Sequence, residues 1–96
     1  MPINQQEAIK LSVKDLSSRL QTPETDVTVD SSESADFANA CLETARAGEM
    51  CADMMLSGWR INLRSAKTGQ VYQYRAAKNQ LRLFSFNGQN YKVWPL

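Results

Sequence analysis

The sequence predicts an α+β fold in which one N-terminal helix packs on an antiparallel β-meander of about four to five strands. Helical spacing of apolar residues near the N-terminus predicts the helix. Alternating apolar and polar residues in the second half, separated by turn signals, predict the meander. At 96 residues and 43% apolar composition, the chain is expected to form a single domain over residues 1–96, with one modest core.

The helix is predicted over residues 4–20. Its apolar positions recur at i, i+4, i+7 and i+11, namely Ile9, Val13, Leu16 and Leu20. Asn4 followed by Glu7 is typical of a capping box, which satisfies free N–H groups at a helix start. Pro23 disfavours a helical residue before it, so the helix should end near residues 21–22.

The middle of the chain is less regular. Residues 26–30 alternate and predict a short strand, and the polar residues 31–34 predict a loop. Residues 35–47 place apolar side chains on one helical face before Gly48, which predicts a second short helix. A loop with one helical turn fits the same residues.

The second half reads as four strands. They are predicted over residues 59–64, 71–75, 81–86 and 90–94, with turns over residues 67–70 and 78–80. Asn87-Gly88 between the last two strands favours a type I′ hairpin turn, which requires positive φ at both central residues.

The composition lacks residues that many enzymes and metal sites require. The chain has no histidine, which removes most triads, dyads and zinc sites, and it has no glycine-rich phosphate loop. We therefore expect no enzyme, no metal and no cofactor. No apolar run is long enough to span a bilayer.

Charge is divided unevenly along the chain. Residues 1–56 carry all ten acids and four bases, whereas residues 57–96 carry seven bases and no acid. Two interpretations are open. The two halves attract each other within one domain, or the basic half meets an anionic partner.

Cys41 and Cys51 form the candidate thiol pair, ten residues apart. In an oxidising compartment they could close a loop, with a stabilisation of about 2–3 kcal/mol. In the cytosol they would be separate buried thiols. The spacing is not Cys-x-x-Cys, which gives little support to a redox role.

The predicted sheet offers a candidate binding face. If Trp59, Ile61 and Leu63 point to the core, alternation exposes a set of basic and aromatic side chains: Arg60, Arg64, Arg75, Arg82, Phe84, Lys92 and Trp94. Bases beside aromatic rings suit single-stranded nucleic acid or another acidic ligand. The same face suits a protein partner or a homodimer, which we favour because the net charge is only +1.

Two features lie in or near the loop between the cysteines. Met50, Met54 and Met55 are expected mainly to fill the core, although methionines also serve adaptable binding surfaces. Arg46 could be the anchor of a presented loop over residues 42–50, as in a protease inhibitor.

Short motifs carry a resemblance to a family of small uncharacterised cyanobacterial domains. They are Leu42, Gly48-Glu49-Met50-Cys51, Gly58-Trp59-Arg60-Ile61 and Gly69-Gln70-Val71-Tyr72-Gln73-Tyr74. The resemblance covers roughly residues 7–84 and implies a layout similar to cystatin-like and PepSY-like domains. It implies no catalytic residues.

Localisation is left with two alternatives. If Met1 is the native start, the polar N-terminus predicts a cytoplasmic protein. If a leader has been removed, a periplasmic or exported protein is expected.

Overall fold

In the computed structural model, which describes residues 2–95, the predicted N-terminal helix is present as α1 (Gln5–Leu20). Asn4 caps it: its side-chain oxygen accepts a hydrogen bond of 2.8 Å from the Glu7 N–H, and Glu7 reaches back to the Asn4 N–H. Gln21 closes the helix in a left-handed conformation. Both predicted helix ends are confirmed.

The strands form an antiparallel meander, as predicted. Within residues 2–95 the sheet has the order β1-β2-β3-β4-β5, which is also the chain order. The strands are β1 (Val27–Phe37), β2 (Leu56–Ser65), β3 (Val71–Ala77), β4 (Gln80–Phe86) and β5 (Gln89–Trp94). A 3-10 turn at Glu24–Asp26 leads into β1. Asn87 and Gly88 both have positive φ, as the predicted turn requires.

The main core lies between α1 and one face of the sheet. Ile61 and Leu63 of β2 are fully buried there, together with Tyr74, Leu81 and Leu83 of the next strands. Ala8 and Ser12, two small residues of α1, are fully buried. The Tyr74 hydroxyl donates a 2.7 Å hydrogen bond to Asp15, and burial is the largest cause that raises the pKa of Tyr74 well above its usual value.

The predicted loop at residues 31–34 is wrong, because these residues continue β1. Their polar side chains find partners on β2 and α1. Asn62 donates to the Ser31 hydroxyl at 2.9 Å, and Gln5 donates to the Ser32 hydroxyl at 2.8 Å. A serine-rich sequence can therefore form a strand when its neighbours supply hydrogen bonds.

Residues 35–47 do not form the expected second helix. Ala35 to Phe37 complete β1, opposite Gly58 to Leu56 of β2. Leu42 and Glu43 then adopt left-handed conformations, with φ of 55° and 58°. A continuous right-handed helix cannot include two such residues. Residues 38–55 form an irregular connection instead.

The outward orientation predicted for Trp94 is also wrong. Leu81 pairs with Trp94 while Arg82 pairs with Lys92, so the register shifts by one residue at Val93. Such a bulge reverses the alternation of side chains beyond it. Val93 faces the helix as alternation predicts, and the bulge turns Trp94 onto the same helix-facing core. Trp59 lies on the same side as Ile61 and Leu63, as predicted, although it is only partly buried.

Candidate functional site

A row of basic side chains crosses the sheet on the face away from α1. The strand register places Arg60 opposite Arg75, Arg75 opposite Arg82, and Arg82 opposite Lys92. We call these four residues the basic ladder. The structure thus brings together four of the predicted binding-face residues. Like charges directly opposite each other on neighbouring strands destabilise a sheet, so the ladder needs compensating partners.

Those partners come from residues 38–55, the connection between β1 and β2, which we call the cover loop. Arg82 is only 4% exposed and donates two hydrogen bonds of 2.7 Å to the carboxylate of Glu49. The Arg75 guanidinium donates to the carbonyl oxygens of Leu42, at 3.0 Å, and Glu43, at 3.4 Å. The cover loop therefore lies over the middle of the basic ladder.

Arg82 stabilises the ionised form of Glu49. The hydrogen bonds from Arg82 are the main cause that lowers the pKa of Glu49 to about 2, and the Arg46 backbone N–H adds to the effect. A carboxylate with this pKa is ionised at any pH near neutrality. It is therefore a poor candidate for a general acid or base.

Arg75 contacts aromatic rings as well as the cover loop. Its guanidinium stacks over the Phe84 ring, 4.3 Å from the centroid, and lies 5.8 Å from the Phe37 centroid. Burial and the nearby Arg60 lower the pKa of Arg75 from its ordinary value. The Phe84 ring, 37% exposed, is thus partly occupied by an intramolecular cation–π contact.

The remaining charged side chains of the predicted face pair with acids or lie at the edge of the sheet, and Trp94 leaves the face altogether. Arg64 lies on the same face at the far end of β2, where it pairs with Asp30 at 3.2 Å. Arg60 pairs with Glu33 at 3.6 Å. Lys92 is partly buried at the edge of the ladder, and Trp94 lies on the opposite face of the sheet.

Within residues 2–95, three ion pairs join the acidic first half of the chain to its basic second half. They are Glu33–Arg60, Asp30–Arg64 and Glu49–Arg82. This arrangement agrees with the interpretation that the two halves attract each other within one domain. Most guanidinium groups of the basic ladder therefore bind acids or carbonyl oxygens of the same chain.

A disulfide closes the cover loop. Cys41 and Cys51 are bonded, with their Cα atoms 5.5 Å apart. Both sulfurs and a Glu49 carboxylate oxygen lie within 4.8 Å of one another. As a disulfide, the two sulfurs are not thiolates and cannot serve as the ligands a soft metal needs. Of the alternatives left open by the sequence, the structure contains the closed loop.

Polar side chains of the sheet also anchor the cover loop, and sequence reasoning did not single them out. Gln80 donates to the Ala40 carbonyl at 2.6 Å, and Asn90 donates to the Ala45 carbonyl at 2.9 Å. Beneath the loop, a second small core contains Leu42 together with Phe37, Leu56 and Ala77. The uneven charge division gave no signal for these two neutral side chains; it indicated only that Glu49 and the other acids need bases elsewhere in the fold.

The methionines do not fill the core as expected. Met50 is 96% exposed, Met55 is 71% exposed and Met54 is 50% exposed. They lie on residues 50–55, the returning part of the cover loop, which we call the methionine arm. Cys51 fixes the arm at one end through the disulfide, and buried Leu56 fixes it at the other.

Arg46 lies at the exposed tip of the cover loop, with 51% of its side chain accessible. The segment around it is a tight turn in which the Arg46 carbonyl accepts a hydrogen bond of 3.0 Å from the Glu49 N–H. The Arg46 guanidinium also lies 3.7 Å from Glu49. The tip is therefore ordered by its own contacts.

These features define a class of protein: an α+β domain with a helix on one sheet face and a disulfide-closed loop on the other. The chain belongs to a family described as a domain of unknown function, DUF8738, whose model matches residues 9–85. No match was found among curated proteins or among solved structures. Across residues 2–95, no helix combines the length and the apolar character that crossing a membrane requires.

Proposed function

We propose that this protein is a non-enzymatic module that binds another protein through the methionine arm. The observation that carries the proposal is the exposure of three methionines on one short arm that is fixed at both ends. A small domain rarely leaves several large apolar side chains together in water unless they serve a contact.

The arm suits an apolar partner. Methionine side chains are flexible and polarizable, so they adapt to partners of different shape. The disulfide and the buried Leu56 already order the backbone of the arm, which lowers the entropy lost on binding. Asp53 is exposed between the methionines and adds a negative charge. The favoured partner is therefore an apolar segment flanked by a basic residue.

Binding of single-stranded nucleic acid or another acidic ligand has less support. Such a ligand needs free guanidinium groups and free aromatic faces. Here Arg82 and Arg75 bind the cover loop, Arg60 and Arg64 bind acids, and Phe84 lies beneath Arg75. A protein partner on the methionine arm requires none of these contacts to break.

The test is affinity capture from native extract with and without nuclease. We expect a retained protein that survives nuclease and is lost with the triple variant Met50→Ser/Met54→Ser/Met55→Ser. Val71→Ser, which removes an exposed apolar side chain elsewhere, is the matched control and should retain the partner. Equal retention by both variants, or recovery of nucleic acid alone, would contradict the proposal.

A second candidate is inhibition of trypsin-like proteases by the cover loop. It is favoured by one observation: Arg46 is exposed in a loop closed by a disulfide. Against it, the hydrogen-bonded turn at Arg46 would have to open before a protease could bind the chain in extended form. Inhibition at micromolar protein that disappears in Arg46→Ala would support this candidate, and no inhibition of a protease panel would remove it.

The disulfide, the order of the elements and the sequence motifs also support proposals on the compartment, the architecture and the distribution of the family. The disulfide supports an oxidising compartment such as the periplasm or the cell exterior over the cytoplasm. The layout of one helix followed by a meander supports a cystatin-like or PepSY-like architecture for the family. The motifs that resemble small cyanobacterial domains support a cyanobacterial distribution for the family.

A further inference from the structure

One side of β1 is unpaired within residues 2–95. β1 (Val27–Phe37) lies at one end of the strand order, and among the described strands its partner is β2. An edge strand presents N–H and C=O groups that can hydrogen-bond to a further strand. With 11 residues, β1 offers a much longer row of such groups than β5, the six-residue strand at the other edge.

The two edges differ in how well they are protected. β5 carries Lys92, has two register irregularities against β4 and is followed by Pro95, all of which discourage pairing with another chain. β1 has one register shift, between Val29 and Ser31. Beyond it, residues 31–37 form a regular ladder with β2 and contain neither lysine nor proline. This seven-residue stretch is an open edge.

The acids of that stretch are engaged within the chain. The Glu33 carboxylate lies 3.6 Å from the Arg60 guanidinium, and the Ser57 hydroxyl donates a 2.6 Å hydrogen bond to Asp36. The remaining side chains between Ser31 and Ala35 are small. Another strand can therefore approach without meeting bulky groups or unopposed negative charge.

We propose that residues 31–37 pair with the same residues of a second copy of this chain. The two strands run antiparallel about a twofold axis at Ser34, which extends one sheet across both copies. In this register Glu33 faces the partner's Ala35, Asp36 faces the partner's Ser32, and no acid faces an acid. An axis at Glu33 would instead set two glutamates opposite each other, which is unfavourable.

The proposed dimer uses the backbone of residues 31–37 and not the methionine side chains, so it goes beyond the proposed function. Opposite residues in an antiparallel pair lie on the same face of the sheet. The helices of both copies would therefore cover one face of the extended sheet, and both cover loops would lie on the other. The pairing uses no residue of the methionine arm in either copy.

Sedimentation of the native chain at concentrations up to about 1 mM, which detects a dimer with a Kd as weak as about that value, tests the dimer. We expect a monomer–dimer equilibrium that Ser34→Lys weakens severalfold, because two lysines would meet on the axis. Ser34 is exposed, so the variant should fold normally. Val71→Lys, also at an exposed position, is the control and should leave the equilibrium unchanged. A chain that stays monomeric throughout overturns the proposal.

Disulfide cross-linking tests the register. Cα atoms of opposite residues lie about 4.5–5.5 Å apart, a distance that a disulfide spans. Under mild oxidation Ser34→Cys should give a covalent dimer. Ser31→Cys should not, because its two copies would be six residues apart along the strands, or about 20 Å. Equal cross-linking of the two variants overturns the assignment of the axis to Ser34.

Discussion

Glu49 and Arg82 are joined by two hydrogen bonds of 2.7 Å that connect the cover loop to the middle of the sheet. Arg82 is almost fully buried, so its charge is removed from water and Glu49 is its principal charged partner. Removing one member of such a pair leaves a buried charge uncompensated. The pair attaches the cover loop to the sheet. It also offsets the repulsion between like charges in the basic ladder.

Glu49→Gln should therefore lower the free energy of unfolding by about 2–4 kcal/mol. The control is Glu33→Gln, whose pairing with Arg60 at 3.6 Å is exposed, and it should cost less than about 1 kcal/mol. Urea denaturation of both variants measures the difference. Similar costs for the two would mean that the cover loop is held by its other contacts.

Stability should fall in acid because of the same carboxylate. The pKa of Glu49 is lowered in the folded protein from 4.5 to about 2, so the unfolded chain takes up its proton first as the pH decreases. The contribution, on the order of 2 kcal/mol, is complete above about pH 4.5 and is lost as the pH falls toward 2. Denaturation between pH 6 and pH 2 (roughly the range over which a carboxyl group titrates) should show this loss. Glu49→Gln should show a smaller one.

The disulfide should stabilise the cover loop more than the rest of the fold. The double variant Cys41→Ser/Cys51→Ser removes the closure of a loop of ten-residue separation, which should cost about 2–3 kcal/mol. Amide hydrogen exchange should accelerate most in residues 38–55, whereas the helix-facing core at Ile61 and Leu63 should accelerate only as far as the global free energy of unfolding falls. Equal acceleration in both regions would indicate that the loop and core unfold together.

The sequence predicted those parts of the fold that local patterns determine. The capping box at Asn4, the alternation of Ile61 and Leu63, and the Asn87-Gly88 turn each depend on residues close in the chain. The continuation of β1 through serines was not predictable in that way, because it depends on partners such as Asn62, 31 residues away.

The candidate site was predicted only in part, for the same physical reason. Alternation placed Arg60, Arg75 and Arg82 on one face, which the strand register agrees with. It could not show that the cover loop would lie over them, since this depends on Glu49 reaching Arg82 across the fold. The bulge at Val93, which reverses Trp94, likewise appears only when β4 and β5 are paired.

Trp94 gives a direct test of that bulge. Strict alternation would expose its ring, and Trp94→Ala would then cost about 1 kcal/mol or less. Because the bulge turns the ring onto the helix-facing core, where it lies near Ile3 and Leu11, we expect about 2–3 kcal/mol. Val71→Ala, at an exposed position, should cost less than about 0.5 kcal/mol. Denaturant melts that rank Trp94→Ala with Val71→Ala would contradict the bulge.

A methyl group added at Gly58 should strongly lower the free energy of unfolding. It pairs with Ala77 in the β2–β3 ladder, and a Cβ built on it would clash with the Ala76 carbonyl oxygen and lie 2.8 Å from the Ala77 Cα. These are backbone atoms of β3, which is held by β2 on one side and β4 on the other, so they cannot move aside without breaking the sheet.

Gly58→Ala should therefore lower the free energy of unfolding by about 3 kcal/mol or more, at the upper end of overpacking effects. The matched control is Gly48→Ala in the cover loop. Gly48 has a φ of 78° but open space around its Cβ position, so this change should cost only about 1 kcal/mol of backbone strain. Urea denaturation of the two variants decides between steric and conformational causes. If Gly48→Ala is the more damaging, the close approach of β2 and β3 at Gly58 is not what requires glycine there.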